Sequence, residues 1–115
     1  MDLKSKTMRN IGIYIWSILQ TNPMVVRAWV VSELRTLQGD DGIIFHVRGL
    51  KFVGFVKIVY DLGDDLFNIF YIDDDGETQK IQKGVCVDRL VLVINEAVEQ
   101  TDNYASDLKR LIVLC

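Results

Sequence analysis

The sequence predicts an α+β domain: a five-stranded antiparallel meander with N-terminal and C-terminal helices packed on one face. Residues 52–83 contain two runs of β-branched and aromatic residues, FVGFVKIVY and LFNIFYID, each followed by a turn rich in Asp and Gly. After Gly84 the spacing of apolar residues changes from two to about 3.6, the period of an α-helix. The same helical spacing precedes the sheet, at Ile11, Ile15, Ile18 and Leu19.

Composition indicates one globular domain spanning residues 1–115. Half of the residues are hydrophobic and a quarter are charged. The net charge of −3 divides unevenly, because residues 1–60 hold eight Lys/Arg and four Asp/Glu, whereas residues 61–115 hold five and twelve. No apolar run reaches the roughly 20 residues of a membrane helix. Two cysteines are too few for a disulfide framework, so a reduced, cytoplasmic setting is expected.

The first element is predicted as a helix over about Met8–Gln20. Alternation of the β-branched Ile11, Ile13 and Ile15 also fits a strand. The helix is preferred because Thr21-Asn22-Pro23 then supplies a stop and a turn.

The segment Ala28–Leu37 fits two structures. Its valines and Trp29 favour a strand, whereas SELRTL would suit a helix. We predict a strand there, ended by the turn QGDDG, and a second strand over Ile43–Val47.

The two turns in residues 52–83 predict which side chains share a face. A loop over Asp61–Asp65 pairs Tyr60 with Leu66, and a two-residue turn at Asp75-Gly76 pairs Phe70 with Ile81. By alternation, the predicted core side carries Ile43, Phe45, Val47, Val56, Ile58, Leu66, Phe70, Ile72 and Ile81. The predicted opposite side carries Ile44, His46, Val53, Phe55, Lys57, Val59, Phe67, Ile69, Tyr71, Lys80 and Gln82.

The strongest helical pattern predicts a helix over about Val87–Gln100. Its apolar stripe consists of Val87, Leu90, Val91, Ile94 and Val98. Of these, Leu90, Val91 and Ile94 are expected to be buried against Val56, Ile58 and Phe70. Asp88, Arg89, Asn95, Glu96 and Glu99 are expected on the opposite side of this helix. A last short helix is predicted over Tyr104–Leu114, with its apolar side formed by Tyr104, Leu108, Leu111 and Ile112.

One surface carries a functional hypothesis. Aromatic and basic side chains are predicted to cluster on the side of the sheet away from the helices: His46, Val53, Phe55, Lys57, Tyr71 and Lys80. An apolar surface of this kind rarely stays bare on a monomer. The sequence therefore predicts a non-catalytic interaction domain, either a homo-oligomer or a domain that docks an unidentified protein. The alternative is a platform that stacks single-stranded nucleic acid on Phe55 and Tyr71, although the acidic net charge disfavours it.

No residues form a catalytic, cofactor or metal motif in the sequence. The carboxylates of the two Asp-rich turns are typical of turn chemistry, and an EF-hand register would put Tyr71 and Gln82 where carboxylates are required. His46 is the only histidine and has no metal-ligand partner at suitable spacing. Cys86 falls near a predicted helix start without a histidine base in reach. We therefore expect no enzyme activity, no cofactor and no membrane partner.

Three stretches resemble a family of small uncharacterised proteins from gut-bacterial genomes and mobile elements. They are NPMVVRAW, the run from GIIFHVRGLKF to NIFYI, and GVCVDRLVLVINEAVE, covering about residues 20–100. Val53 departs from the family pattern, which usually has Lys inside the hairpin. The resemblance implies no known activity and no functional residue to carry over.

Overall fold

The computed structural model describes residues 11–39 and 41–99. Its helices are α1 (Ile11–Leu19), α2 (Pro23–Ala28) and α3 (Leu90–Val98), the last preceded by a 3₁₀ turn (Val87–Arg89). Its strands are β1 (Ser32–Thr36), β2 (Gly42–Arg48), β3 (Val53–Asp61), β4 (Leu66–Ile72) and β5 (Thr78–Val85). The predicted α+β class is confirmed. The helix predicted over Tyr104–Leu114 lies outside the described residues, as does the start of the one predicted from Met8.

The five strands form a single antiparallel sheet in the order β1-β2-β3-β4-β5, the meander that the sequence predicts. Each strand pairs with its neighbours in the chain, because every connection between strands is a short turn. The register across the middle of the sheet aligns Phe45, Val56 and Tyr71 in one row. The next row on the same face of the sheet aligns Ile43, Ile58 and Ile69.

One side of the sheet forms the hydrophobic core with the helices. Alternate residues of β2, β3 and β4 are buried there, as period-two geometry requires. Helices α1 and α3 both contribute to this cluster, so helices from the two ends of the described chain cover the same face. The largest fully buried side chains are Trp29, Tyr71, Phe45, Ile11, Ile15, Leu19, Ile43, Ile58, Ile69, Leu90, Leu92 and Ile94.

Helix α2 positions Trp29, which is fully buried, at its C-terminal end. Pro23 starts this helix, where its missing N–H costs nothing. Val30 takes a left-handed conformation (φ 51°) just after it, turning the chain toward β1. Between them, Trp29 stacks on the ring of Phe45 (centroids 6.4 Å apart, interplanar angle 2°). Its Nε1 donates a hydrogen bond to Asn95 Oδ1 in α3 at 2.8 Å.

The turn between β2 and β3 caps the end of α3. The backbone N–H groups of Lys51 and Phe52 both donate to the carbonyl of Val98, at 2.8 and 3.2 Å. The N–H of Leu50 donates to the carboxylate of Glu99 at 2.8 Å. A Cβ atom on Gly49 would lie 2.2 Å from the Val98 carbonyl oxygen, so only glycine permits this close approach.

The predicted register between β3 and β4 is wrong by one residue. Asp61 pairs with Leu66 and Tyr60 pairs with Phe67, because β3 continues through Asp61 and the loop has four residues rather than five. A one-residue shift moves every side chain of a strand to the other face. Leu66, Phe70, Ile72 and Ile81 therefore lie away from the helices, whereas Phe67, Ile69, Tyr71, Lys80 and Gln82 lie on the helix side.

Three further predictions need correction. The segment starting at Ala28 is partly helical, because α2 ends at Ala28 and the strand begins only at Ser32. The turn at Asp75-Gly76 is wider than two residues: Ile72 pairs with Thr78 rather than Gln79, although Phe70 does pair with Ile81. Asn95 was expected on the polar side of its helix, but it is fully buried, and its Oδ1 accepts the hydrogen bond from Trp29.

Among residues 11–39 and 41–99, no helix combines the length and the apolar character needed to cross a membrane.

Candidate interaction surface

The side of the sheet opposite the helices is a surface we call the open face. Its register joins Ile44, Lys57, Phe70 and Ile81 in one row and His46, Phe55, Ile72 and Thr78 in the next. A third row joins Val59 and Asn68. Arg48 and Val53 pair at the end of the face, next to the turn between β2 and β3.

The open face is apolar, and the described helices do not cover it. None of its side chains belongs to the core cluster or packs against it. Ile44, Phe55, Val59, Phe70 and Ile72 are half-buried by their neighbours within the sheet. Ile81 and Val53 are 49% and 48% exposed. Because folding leaves these side chains accessible, the face has apolar area available for an intermolecular contact.

His46 closes one edge of the open face. Its ring meets Phe55 edge-on, with centroids 4.9 Å apart. Its Nε2 lies 2.8 Å from Asp74 Oδ1, in the turn between β4 and β5. A carboxylate can only accept, so Nε2 carries the hydrogen of this bond. The imidazole therefore joins β2 to a turn two strands away, which explains a polar side chain that is only 11% exposed.

Lys57 lies in the middle of the open face. Its Nζ is 4.7 Å from the centroid of the Phe70 ring, within the range of a cation–π contact. The charge of Lys57 is therefore directed toward the aromatic ring instead of projecting freely, and its side chain is half-buried. The centre of the face is therefore less polar than its composition suggests.

The structure brings together four of the six predicted interaction residues: His46, Val53, Phe55 and Lys57. Tyr71 and Lys80 pair with each other on the helix side of the sheet. Tyr71 is 1% exposed, and its hydroxyl donates to Gln82 Oε1 at 2.7 Å. Burial, with a contribution from the charge of Glu96, raises the pKa of Tyr71. Phe55 and Tyr71 are thus on opposite faces and cannot stack neighbouring bases.

Sequence reasoning missed Phe70, Ile72 and Ile81, which belong to the open face. Asn68 is the residue that would have indicated their position. It shares a face of β4 with Leu66, Phe70 and Ile72, and a face that carries a polar side chain is the one expected to lie away from the core. Its Oδ1 accepts a hydrogen bond from the N–H of Gly84 at 3.1 Å. The all-apolar alternative, Phe67, Ile69 and Tyr71, is the set that the core buries.

The Asp-rich turns are held by their own carboxylates, as turn chemistry predicts. Asp61 Oδ1 accepts from the N–H groups of Gly63 and Asp64 at 3.0 and 3.3 Å. Asp73 Oδ1 accepts from the N–H groups of Asp75 and Glu77 at 3.0 and 2.9 Å. The described residues contain no group of three or more His, Cys, Asp or Glu side chains placed to hold a metal ion.

Asp73 is expected to make the stability of the turn between β4 and β5 depend on pH in the acidic range. Hydrogen bonds to the carboxylate, foremost from the N–H of Glu77, lower its pKa below the ordinary value of 3.8. A lowered folded-state pKa stabilises the protein above the unfolded pKa, and this stabilisation is lost as the pH falls through the folded value. The melting temperature of Asp73→Asn should therefore fall less steeply than that of the wild type between about pH 4 and pH 2.

Thermal melts at a series of pH values measure this difference. Asp75→Asn is the matched control, because Asp75 lies in the same turn and its side chain makes no hydrogen bond within the described ranges. Parallel melting curves for wild type and Asp73→Asn at every pH would contradict the assignment.

Cys86 lines a groove at the end of β5, where the chain leaves the sheet for α3. It is the N-cap residue of the 3₁₀ turn before α3, in an extended conformation (φ −68°, ψ 149°). Arg89 and Val93 line the same groove, which has a volume of about 410 Å³. None of the predicted interaction residues is part of it.

Comparison of the chain with protein-family models, with curated proteins and with solved structures finds no match.

Proposed function

We propose that this chain is a small non-catalytic interaction domain whose open face binds a second copy of the chain. The observation that carries the proposal is the apolar open face, which no described helix covers. The five strands, spaced about 4.8 Å apart, give this face a width of about 19 Å. Over strands of this length the face covers a few hundred Å², the size of the largest apolar patch on a typical monomer, which is often functional.

Charge supports an apolar partner. Lys57 directs its ammonium group over Phe70, and Asp74 accepts a hydrogen bond from His46. Both polar groups of the face therefore already have a contact within one chain. A second copy presents the same apolar centre, and the isologous contact of a twofold dimer needs such a self-complementary surface. Docking of a different protein uses the same face and is one outcome of the test.

The test is the oligomeric state of the purified protein. We expect light scattering to give a dimer at high micromolar concentration. Phe70→Asp should be monomeric, because association would have to remove water from the new carboxylate and from the neighbouring Lys57 ammonium group. Ile81→Asp should act in the same direction with less effect on folding, since Ile81 is more exposed. Circular dichroism checks that each variant keeps the fold.

Met24→Asp is the matched control. Met24 is 80% exposed in α2, away from the open face, so its replacement should leave the dimer intact. A wild-type protein that stays monomeric at every concentration would overturn self-association. If that monomer captured a protein partner and Phe70→Asp abolished the capture, the open face would be a docking site for another protein.

The nucleic-acid alternative has weaker geometric support. Lys80 and Tyr71 are on the helix side, so the open face retains Phe55 and Phe70 with Lys57 and Arg48. Single-strand binding by so few cations should weaken steeply with salt. Fluorescence anisotropy of short labelled oligonucleotides, at low and moderate salt, distinguishes it from protein association.

A further inference from the structure

The two ends of the open face carry different charges. Asp61 extends the face beyond Val59 at the end of β3, and the exposed Asp64 follows in the turn between β3 and β4. The segments at this end, residues 37–42 and 61–66, contain no Lys or Arg. Arg48 lies at the opposite end of the face, where it is exposed and makes no ion pair with another described residue. On β2 and β3 the face therefore has an acidic end and a basic end.

The charges along β4 and β5 run in the reverse order. The turn between these strands holds Asp74, Asp75 and Glu77, all exposed, at the end of the sheet where β2 stops. Asp74 reaches His46, so this turn leans across the open face. The other end of β5 carries the exposed Lys83. On either half of the sheet, the charge at one end is therefore opposite to the charge at the other end.

The edges of the sheet are less suited to a second copy than the face. Strand β1 contains a bulge between Ser32 and Arg35, with Glu33 in a left-handed conformation (φ 52°). The pairing of β5 with β4 shifts register twice. Irregular edge strands resist the addition of another strand. The shape of the sheet therefore favours association through the face.

We propose that two copies meet through their open faces about a twofold axis perpendicular to the strands, so that the acidic end of each copy lies against Arg48 of the other. This inference rests on the self-association proposed above and names the arrangement of that dimer. Reversal of the strand direction brings opposite charges together on both halves of the sheet. The strands of the two sheets then run nearly antiparallel, as aligned sheets packed about 10 Å apart allow.

A twofold axis parallel to the strands would bring like charges together. Because β3 is the central strand, an axis above it places Asp61 opposite Asp61 of the second copy, and Lys57 opposite its own equivalent. Both contacts are repulsive, and like-charge contacts across an interface cost several kcal/mol. The charge pattern therefore selects the perpendicular axis.

The perpendicular axis passes between two rows of the open face. Lys57 of one copy then lies over Phe55 of the other, which gives the ammonium group a second aromatic ring. The same register brings Arg48 to the acidic end of the second copy, one strand away from Asp61. The apolar centre and the charged ends of the face are thus matched in a single arrangement.

The test mixes two charge-reversed variants of the full-length chain, Arg48→Glu and Asp64→Arg. Asp64 is used because the carboxylate of Asp61 also holds the turn through the N–H of Gly63. Each variant alone should dimerise several-fold more weakly at low salt, because its dimer contains two like-charge contacts. In a mixed dimer both contacts pair opposite charges. Native mass spectrometry of an equimolar mixture should therefore show mixed dimers in clear excess over the half that random pairing gives.

Asp75→Arg is the matched control. Asp75 lies at the same end of the face as Arg48, so the perpendicular axis keeps it away from Arg48 of the second copy. Mixing Asp75→Arg with Arg48→Glu should therefore give random pairing. An excess of mixed dimers in this control, or no excess with Asp64→Arg, would overturn the arrangement and leave self-association standing. A wild-type chain that stays monomeric would overturn both proposals.

Discussion

Replacing Trp29 with alanine is expected to lower the free energy of unfolding by about 3–5 kcal/mol. The indole is fully buried and stacks in parallel on Phe45, so its removal leaves a large cavity between α2 and the sheet. In this variant the buried Oδ1 of Asn95 no longer accepts a hydrogen bond from the indole N–H, and leaving a buried acceptor unsatisfied costs further stability. The melting temperature should fall by more than about 10 °C.

Trp16→Ala is the internal comparison. Trp16 also contacts Phe45, edge-on at 6.1 Å, but it is only half-buried. Chemical denaturation of both variants should give a clearly larger loss for Trp29. Trp29→Phe, Asn95→Leu and the double variant form a cycle that isolates the hydrogen bond. Equal losses for the two tryptophans would mean that Trp29 does not anchor α2 to α3.

The second large effect is expected at Ile94. Ile94→Ala should cost about 2–5 kcal/mol, through lost burial and a residual cavity between α3 and the sheet. The isoleucine is fully buried in the core cluster. Equilibrium denaturation in urea measures the change, and an unchanged denaturation midpoint would show that α3 does not pack where the structure places it.

Ile81→Ala makes the same chemical change on the open face. Because Ile81 is about half exposed, its truncation should alter the free energy of unfolding by no more than about 0.5 kcal/mol. A loss as large as that of Ile94→Ala would mean that Ile81 is buried in solution, and measurements at several protein concentrations would then identify a dimer contact.

The alternation of apolar residues in β2 and β3 was sufficient to predict their faces. Ile43, Phe45, Val56 and Ile58 are buried as period two requires. Alternation cannot fix the offset between neighbouring strands, which depends on where the loop begins. Asp61 belongs to β3 rather than to the loop, and this single residue reverses the faces predicted for β4.

The candidate surface was partly predictable for the same reason. His46, Phe55 and Lys57 lie on β2 and β3, where the pattern was sufficient, and they do share the open face. Tyr71 and Lys80 depended on the offset of β4 and were misplaced. Asn95 is a different case, because its partner Trp29 is 66 positions away and no periodic pattern predicts a pair between two helices.

The nearest-neighbour order of the strands has a consequence for how the chain folds. Each hairpin closes a short loop at little cost in chain entropy, so the sheet can grow one strand at a time from the turn between β3 and β4. The bond between Trp29 and Asn95 closes a much longer loop and requires both helices to be in place. We therefore expect docking of the indole against Phe45 to be a late event, and in a Trp16→Phe background the fluorescence of Trp29 should report it after the strands have formed.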